Sequence, residues 1–269
     1  MPFPLSTRVI FDRNPLAEVI CQLRFPPILR IIAEPPADFQ DRIRAEYPIF
    51  EQVSPNPGAQ LLASGVQVEG GGFNIGWQQP SYSFTTESGE RTVTLTQESI
   101  SVAERRYQRW EALSHEIETV KTELEAVYGP AFYHRIGLRY QNIISRANLG
   151  LSDVPWAELL NPVFAGLLSS DKTLSDQVRQ LTSIAEIDIP ETPDGKVHLR
   201  HGLLEAQDAQ PHIFAIDSDF FTTQRSEPAN VKQVLDAFHL HAGNLFRWAI
   251  AERLRTALGP TELEPTSQD

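Results

Sequence analysis

Four acidic residues in the second half of the sequence have the spacing of a cation site. Glu186 and Asp188 lie two residues apart in one predicted strand, and Asp217 and Asp219 lie two residues apart in another. Because alternate side chains of a strand point to the same face, each pair places two carboxylates on one side of a sheet. If the strands bring the pairs together, the carboxylates would hold a cation such as Mg²⁺ and suit phosphodiester hydrolysis. The alternative is that they line the solvated face of a half-exposed sheet.

Two arginines lie in predicted strands whose other residues are mostly apolar. Arg24 and Arg139 each follow a leucine and precede an aromatic residue. A guanidinium among apolar neighbours needs an anionic partner. If the role is structural, Glu18 is the partner expected for Arg24. The other interpretation is that Arg24, Arg139 and Glu18 form a clamp for an anionic ligand.

One segment combines basic and aromatic side chains. Arg105, Arg106 and Arg109 alternate with Tyr107 and Trp110. Guanidinium groups beside aromatic rings can hold a single-stranded base and its phosphates. The alternative is a strand-to-helix junction with both rings in the core. The net charge of −12 makes nucleic acid an unexpected partner for the chain as a whole.

Histidine and cysteine do not form a recognisable reactive motif in this sequence. His239 and His241 are two residues apart on a predicted helix, so they point in different directions. The sequence contains neither His-Glu-x-x-His nor Gly-x-Ser-x-Gly. Cys21 is the single cysteine, which excludes an internal disulfide. We therefore expect no catalytic residue, no bound metal and no cofactor.

The elements that position these residues follow a pattern that occurs twice. The first half has a strand over 18–25, a helix over 36–47, strands over 61–68, 73–86 and 91–102, and a helix from Trp110 to Gly129. The second half has a strand over 132–144, a helix over 155–168, strands over 180–189, 196–204 and 212–221, and a helix from about Asn230 to Gly259. Both long helices end at Gly-Pro, a common stop signal.

This pattern predicts an α+β fold of two β-α-β-β-β-α pseudo-repeats, with a mostly antiparallel sheet and helices packed on it. The predicted repeats are residues 1–130 and 131–260, followed by a flexible tail over 261–269. We expect the two repeats to form one body with a pseudo-twofold axis. The groove between them is then the default place for a ligand or a partner.

The composition is that of an acidic globular protein. The chain has 269 residues, of which 41% are hydrophobic. No run approaches the roughly 18 apolar residues of a membrane span, and the first residues lack the pattern of a secretory signal. We therefore expect a cytoplasmic protein that has no membrane partner.

Two long motifs resemble those of a sporadically distributed family of bacterial and archaeal proteins of about this whole length. They are Asn-Pro-Leu-Ala-Glu-Val-Ile-Cys-Gln-Leu-Arg-Phe over 14–25 and Arg-Ile-Gly-Leu-Arg-Tyr-Gln-Asn over 135–142. Shorter similarities are Tyr107-x-x-Trp110, Asp217-x-Asp219 and Phe246-x-x-Ala249-Ile250. Gln141 stands where the family usually has Ile or Val. The resemblance implies an accessory gene of mobile, defence or toxin–antitoxin loci, and it implies no catalytic residue.

We expect a non-enzymatic interaction or regulatory protein. It would bind a protein partner through the groove between repeats or through an exposed sheet edge. One alternative is a sensor that binds a small anionic molecule or a nucleotide between the repeats. The other alternative is a metal-dependent phosphodiesterase or nuclease.

Overall fold

The computed structural model describes residues 2–53, 81–204 and 212–262. The strands are β1 (Val9–Phe11), β2 (Leu16–Arg24), β3 (Ile49–Val53), β4 (Ser81–Thr85), β5 (Arg91–Thr96), β6 (Ser99–Glu104), β7 (Arg135–Ser145), β8 (Ser183–Ile189), β9 (Gly195–Leu204), β10 (Ile213–Thr222) and β11 (Pro260–Glu262). The helices are α1 (Leu29–Ala33), α2 (Ala37–Ile43), α3 (Trp110–Tyr128), α4 (Trp156–Leu159), α5 (Pro162–Ala165), α6 (Lys172–Ser175), α7 (Val231–Ala249) and α8 (Glu252–Leu258). Short 3₁₀ helices cover Gly166–Ser169 and Pro228–Asn230.

Nine strands form one antiparallel sheet in the order β3-β4-β5-β6-β2-β7-β10-β9-β8. The α+β fold with helices packed on a mostly antiparallel sheet is therefore confirmed. The order is matched on the two sides of the central β2–β7 contact, since β6, β5 and β4 follow β2 outward as β10, β9 and β8 follow β7. The origin of this arrangement in a repeated unit stays a prediction. A separate two-stranded sheet pairs β1 with β11.

Alternation along the strands gives the sheet two different faces. In β2, Val19, Cys21 and Leu23 are buried, whereas Gln22 and Arg24 between and after them are only partly covered. The described helices pack on the buried set, as the contacts of Phe220 with α7 and of β6 with α3 illustrate. The side chains that point away from these helices form what we call the open face. It includes Gln22, Arg24, Arg135, Arg139, His198, Arg200, Asp217 and Asp219.

The first long helix has the predicted bounds. α3 follows the extended residue Arg109 and ends where Gly129 adopts a left-handed conformation with φ of 53°. Its apolar residues at steps of three and four are buried against the sheet, as helical periodicity requires. Glycine favours this conformation because it lacks a Cβ atom, which explains why the helix stops at Gly129.

The predicted single strand over 91–102 is wrong, because the segment is the hairpin of β5 and β6. The turn between them contains neither Gly nor Pro, so the sequence gives a weak signal for it. Side chains close the turn instead: the hydroxyls of Thr96 and Ser99 lie 2.8 Å apart, and the Glu98 amide donates to Thr96 Oγ1 at 3.3 Å.

The predicted helix from Asn230 to Gly259 is interrupted. Ile250 is extended, with φ of −104° and ψ of 143°, and it forms a bridge with Leu160. The Ala251 amide donates to the Leu159 carbonyl at 2.9 Å, so a tertiary contact replaces a helical bond. The predicted helix over 155–168 is also divided, and Pro162 begins its second piece as the first residue of α5.

Several predictions concern residues outside the described ranges. The strand over 61–68 and most of the strand over 73–86 lie there, as does the tail after residue 262. Residues 261 and 262, the first of the predicted tail, belong to β11. Within the described ranges, none of the helices has the length and apolar character needed to cross a membrane.

Candidate functional site

The acidic pair on β10 is occupied by arginines of β7. Asp217 accepts two hydrogen bonds from Arg139, at 2.7 Å from Nε and 2.6 Å from Nη2. Asp219 accepts from Arg135 Nη2 at 2.8 Å. Burial raises the pKa of Asp219, and the neighbouring guanidinium of Arg135 opposes this shift. These carboxylates therefore serve as counter-ions within the open face.

The acidic pair on β8 does not join the pair on β10. Strand β9 lies between the two strands, and Glu186 accepts from Lys196 Nζ at 3.0 Å. Across the ranges that the structure describes, no three His, Cys, Asp or Glu side chains are grouped as a metal site would require. The possible cation site of Glu186, Asp188, Asp217 and Asp219 is therefore not formed, because β9 separates the two pairs, and lysine or arginine neighbours neutralise three of the four carboxylates.

The expected pair of Arg24 with Glu18 is also wrong. The two residues lie near opposite ends of β2. Arg24 Nη2 donates to Glu98 Oε1 at 2.6 Å, and Glu18 accepts from Arg105 Nε at 3.2 Å. Arg24 lies opposite Arg135 in the β2–β7 pairing and not opposite the other arginine of the predicted clamp. Both clamp arginines have carboxylate partners, so the geometry does not favour an anion clamp there.

The basic and aromatic cluster is a strand-to-helix junction. Arg106 pairs with Glu90 at 2.9 Å, and Arg105 pairs with Glu18. Trp110 is buried and Tyr107 packs against the core, so neither ring lies free on the surface to stack on a base. Arg109 differs from the other two arginines because it lines a cavity.

This cavity, of about 240 Å³, lies where the two halves of the chain meet. We call it the inter-half pocket. Its wall is formed by N-terminal residues from 6 to 16, by residues 107–109, by Tyr140 and Asn142 of β7, and by residues of α7 from 239 to 247. The halves therefore contribute to it jointly, and Arg247 belongs to the part of its lining that no sequence motif singled out.

The N-terminal segment is fixed over the pocket by contacts at several points. Arg8 Nη1 lies 2.6 Å from Glu111 Oε1, and Asn14 Nδ2 donates to the Tyr107 carbonyl at 3.2 Å. Between these points, β1 pairs with β11, and the rings of Phe11 and Phe246 pack in a T-shaped arrangement with centroids 5.7 Å apart. The segment is thus an ordered wall that supplies apolar surface to the pocket.

Arg247 of α7 lies in the wall and is held by neutral groups. Its Nε donates to Ser6 Oγ at 2.6 Å and its Nη2 donates to Asn244 Oδ1 at 3.0 Å. The guanidinium lies over Gly243, where an added Cβ atom would be 2.8 Å from Nη1. Glycine at this position therefore leaves room for the arginine head.

Arg247 forms no ion pair within the part of the chain that the structure describes. Burial lowers the pKa of Arg247 from its ordinary value to about 10, and the positive charges of Arg8 and Arg255 lower it further in the same direction. No carboxylate contributes to this shift. The pocket thus contains a partly buried cation without a counter-ion, which is an unfavourable arrangement in the absence of a ligand.

The floor of the pocket is polar but uncharged at neutral pH. Tyr140 Oη lies 2.9 Å from His239 Nδ1, and the His239 ring stacks on Trp110 with centroids 4.7 Å apart. Burial lowers the pKa of His239 to about 4 and raises that of Tyr140. Trp110 in turn donates to Asp236 at 2.7 Å, which fixes the stacked ring. The positive charge at the pocket therefore comes from its arginines.

This combination suits an organic anion. An oxyanion would meet Arg247, whereas an apolar body would contact Phe11, Leu16 and Phe246. The sequence around Arg247 contains one signal of an unpaired arginine. No acidic residue lies three or four positions from Arg247 in either direction, although such neighbours commonly neutralise a helical arginine.

Comparison of the chain with models of known protein families gives no match, and comparison with curated proteins gives no relative.

Proposed function

We propose that the protein binds a small organic anion in the inter-half pocket and acts by binding, without chemical turnover. The observation that carries this proposal is the state of Arg247, a partly buried guanidinium whose hydrogen-bond partners among the described residues are neutral. A charge in this environment lacks both full hydration and a counter-ion. A carboxylate or phosphate of the ligand would supply the missing charge with charge-assisted hydrogen bonds.

The rest of the pocket supports a ligand with an apolar body. Val9, Phe11, Leu16 and Phe246 line the cavity beside the arginine. A ligand pocket of this kind gains affinity from apolar contacts and orientation from a few polar groups. An inorganic anion would use the arginine alone, so we expect it to bind more weakly than an anion with a hydrocarbon or aromatic part.

The titratable side chains of the pocket support binding over proton transfer. General acids and bases work best when their pKa lies near the working pH. Burial moves the pKa of His239 down to about 4 and that of Tyr107 upward, so both shifts lead away from neutrality. Burial also raises the pKa of Cys21 to about 12, so this thiol is not a nucleophile at neutral pH.

Thermal unfolding with a ligand panel tests the proposal. The panel contains inorganic phosphate, butyrate, benzoate and phenyl phosphate, with benzamide as the neutral counterpart of benzoate. At about 100 times its Kd, a ligand stabilises the folded state by about 2.7 kcal/mol, which raises Tm by about 5–10 °C for a chain of this size. We expect benzoate or phenyl phosphate to exceed inorganic phosphate, and benzamide to have no effect.

Two variants make the result specific. Arg247→Gln should remove the ligand-induced shift. Arg253→Gln removes the same charge from α8, where the side chain is exposed and pairs with Glu158, and it should keep the shift. A panel without any stabilising anion, or equal stabilisation of wild type and Arg247→Gln, would contradict the proposal.

A further inference from the structure

The open face of the sheet contains a half-buried arginine that differs from its neighbours. Arg200 of β9 forms neither an ion pair nor a hydrogen bond with any residue in the described ranges, and its Nε is buried without an acceptor. Four other cations of this face have carboxylate partners within the described ranges. They are Arg24 with Glu98, Arg135 with Asp219, Arg139 with Asp217 and Lys196 with Glu186.

The carboxylate directly across the β9–β10 pairing from Arg200 is already engaged. Asp217 lies opposite Arg200 in the β9–β10 pairing, but its two oxygens accept hydrogen bonds from Arg139. Arg139, Asp217 and Arg200 together therefore have a net charge of +1. A positive charge on a partly covered surface favours an incoming carboxylate.

A small cavity of about 140 Å³ lies beside Arg200 between β7, β9 and β10. Ile143, Leu204 and Ala215 supply apolar surface to it. Ile143 is 43% exposed, and Ile184, which lies opposite Arg200 in the β8–β9 pairing, is 56% exposed. These two exposed isoleucines lie near an arginine that has no partner within the described ranges. Together with two neighbouring apolar residues they form what we call the Arg200 patch: Ile143, Ile184, Arg200, Leu204 and Ala215.

We infer that the Arg200 patch docks a protein partner that presents an apolar side chain next to a carboxylate. The cavity has room for a side chain, and the carboxylate would satisfy Arg200. Arginine and large apolar residues are typical of the energetically dominant centre of protein interfaces. This inference is independent of the inter-half pocket, which lies on the other side of the sheet.

The charges of the patch disfavour other macromolecules. A nucleic-acid backbone needs several available cations, but Arg24, Arg135, Arg139 and Lys196 of this face are paired with carboxylates. A second copy docked about a twofold axis would place each Arg200 near its own equivalent, so the charges would oppose association. An acidic and apolar segment of a different protein satisfies both conditions.

A site-specific cross-link identifies the partner. A photoreactive amino acid replaces Ile143 in the full chain, which is expressed in the native host and irradiated. We expect a covalent adduct with a protein whose cross-linked segment contains Asp or Glu. An adduct with a second copy of this chain, or the absence of any adduct, would overturn the inference.

The affinity of the purified pair then tests the role of Arg200. Arg200→Glu should weaken binding by about 30-fold or more, as expected for a central interface residue. Replacement of the partner's carboxylate by Lys should restore binding to Arg200→Glu. The control is Arg44→Glu, an exposed position next to α2 that should leave the affinity unchanged. The Tm of Arg200→Glu shows whether a loss of affinity reflects unfolding, and Arg200→Gln removes the charge without reversing it.

Two results would contradict the inference at this stage. One is unchanged affinity in a folded Arg200→Glu protein. The other is an Arg200-dependent rise in Tm with inorganic phosphate or acetate, together with no dependence of the cross-link on Arg200. The second result would assign the patch to a small anion.

Discussion

Arg139 on the open face and Arg247 in the inter-half pocket are both partly covered, but their electrostatic surroundings are opposite. Arg139 makes two hydrogen bonds to Asp217, and these bonds raise its pKa. Arg247 bonds to a hydroxyl and an amide, and burial lowers its pKa to about 10. The difference shows that burial alone does not leave an arginine available for a ligand, since Arg139 is neutralised by Asp217 and Arg247 is hydrogen-bonded to neutral groups.

The same contrast extends to the groups around each arginine. On the open face, arginines and carboxylates alternate between β7 and β10, so the charges neutralise one another within the sheet. In the pocket, the neighbouring polar groups Tyr140 and His239 are held in neutral forms by burial. The first region contributes to stability through its ion pairs, whereas the second keeps a charge available.

The largest expected effect is a loss of folding stability in acid, and it arises from His239 in the pocket region. The pKa of His239 is about 4 in the folded state and about 6.5 when unfolded. Between these values the unfolded chain binds one more proton, so folding stability falls as pH falls from 6.5 to 4. This shift corresponds to about 3 kcal/mol. Urea unfolding at pH 7 and pH 4 measures the decrease in the free energy of unfolding. We expect this decrease to be about 3 kcal/mol smaller in His239→Gln than in wild type.

The matched control for this measurement is His198→Gln on the open face, where the histidine is exposed. If His239→Gln and wild type lose the same stability between the two pH values, the description of the pocket floor is wrong.

Removal of the Asp217 carboxylate on the open face should have the next largest effect on stability. Asp217→Asn leaves Arg139 without its counter-ion. Because these side chains are 21% and 34% exposed, we expect a loss of about 2 kcal/mol, below the 3–5 kcal/mol of a fully buried pair. Urea unfolding of Asp217→Asn in the wild-type and Arg139→Met backgrounds measures the interaction. Equal losses in both backgrounds would show that the pair does not couple.

Removal of Arg247 from the pocket should affect folding stability less than removal of a residue that belongs to an ion pair. Without ligand, Arg247→Met should change stability by less than about 1 kcal/mol or increase it, since the lost charge had no partner. A destabilisation of 2 kcal/mol or more at pH 7 would contradict this account.

A methyl group at Gly243 should have the smallest effect on stability and a visible effect on binding. Ala favours a helix over Gly by up to about 1 kcal/mol, so Gly243→Ala should not reduce Tm. Its Cβ atom would lie 2.8 Å from Arg247 Nη1 and displace the guanidinium. We expect a several-fold weaker response to benzoate in thermal unfolding. An unchanged response would show that the position of the arginine head is not critical.

Much of the sheet could be predicted from sequence because alternation of apolar and polar residues reports directly on strands. β8, β9 and β10 lie within three residues of their predicted bounds. The break at Ile250 could not be predicted, since apolar spacing continues through it and the cause is a contact with Leu160. Local pattern therefore identifies elements, and tertiary contacts decide where they are interrupted.

The candidate site was less predictable for a similar reason. Arg24 and Arg139 are conspicuous because their strand neighbours are apolar, but their partners Glu98 and Asp217 come from distant segments. Arg247 is inconspicuous in its helix, and its contact with Ser6 joins residues 241 positions apart. Whether an arginine is neutralised depends on such long-range contacts, which no single segment encodes.

Nuclear magnetic resonance of the arginine side chains tests the central comparison most directly. The Nε–H signals of Arg139 and Arg247 are assigned by comparison with Arg139→Met and Arg247→Met, and benzoate or phenyl phosphate is then titrated. We predict a saturable shift of the Arg247 signal and no shift of the Arg139 signal. A shift of Arg139 with Arg247 unchanged, or no shift of either signal at any concentration of the panel anions, would contradict the account.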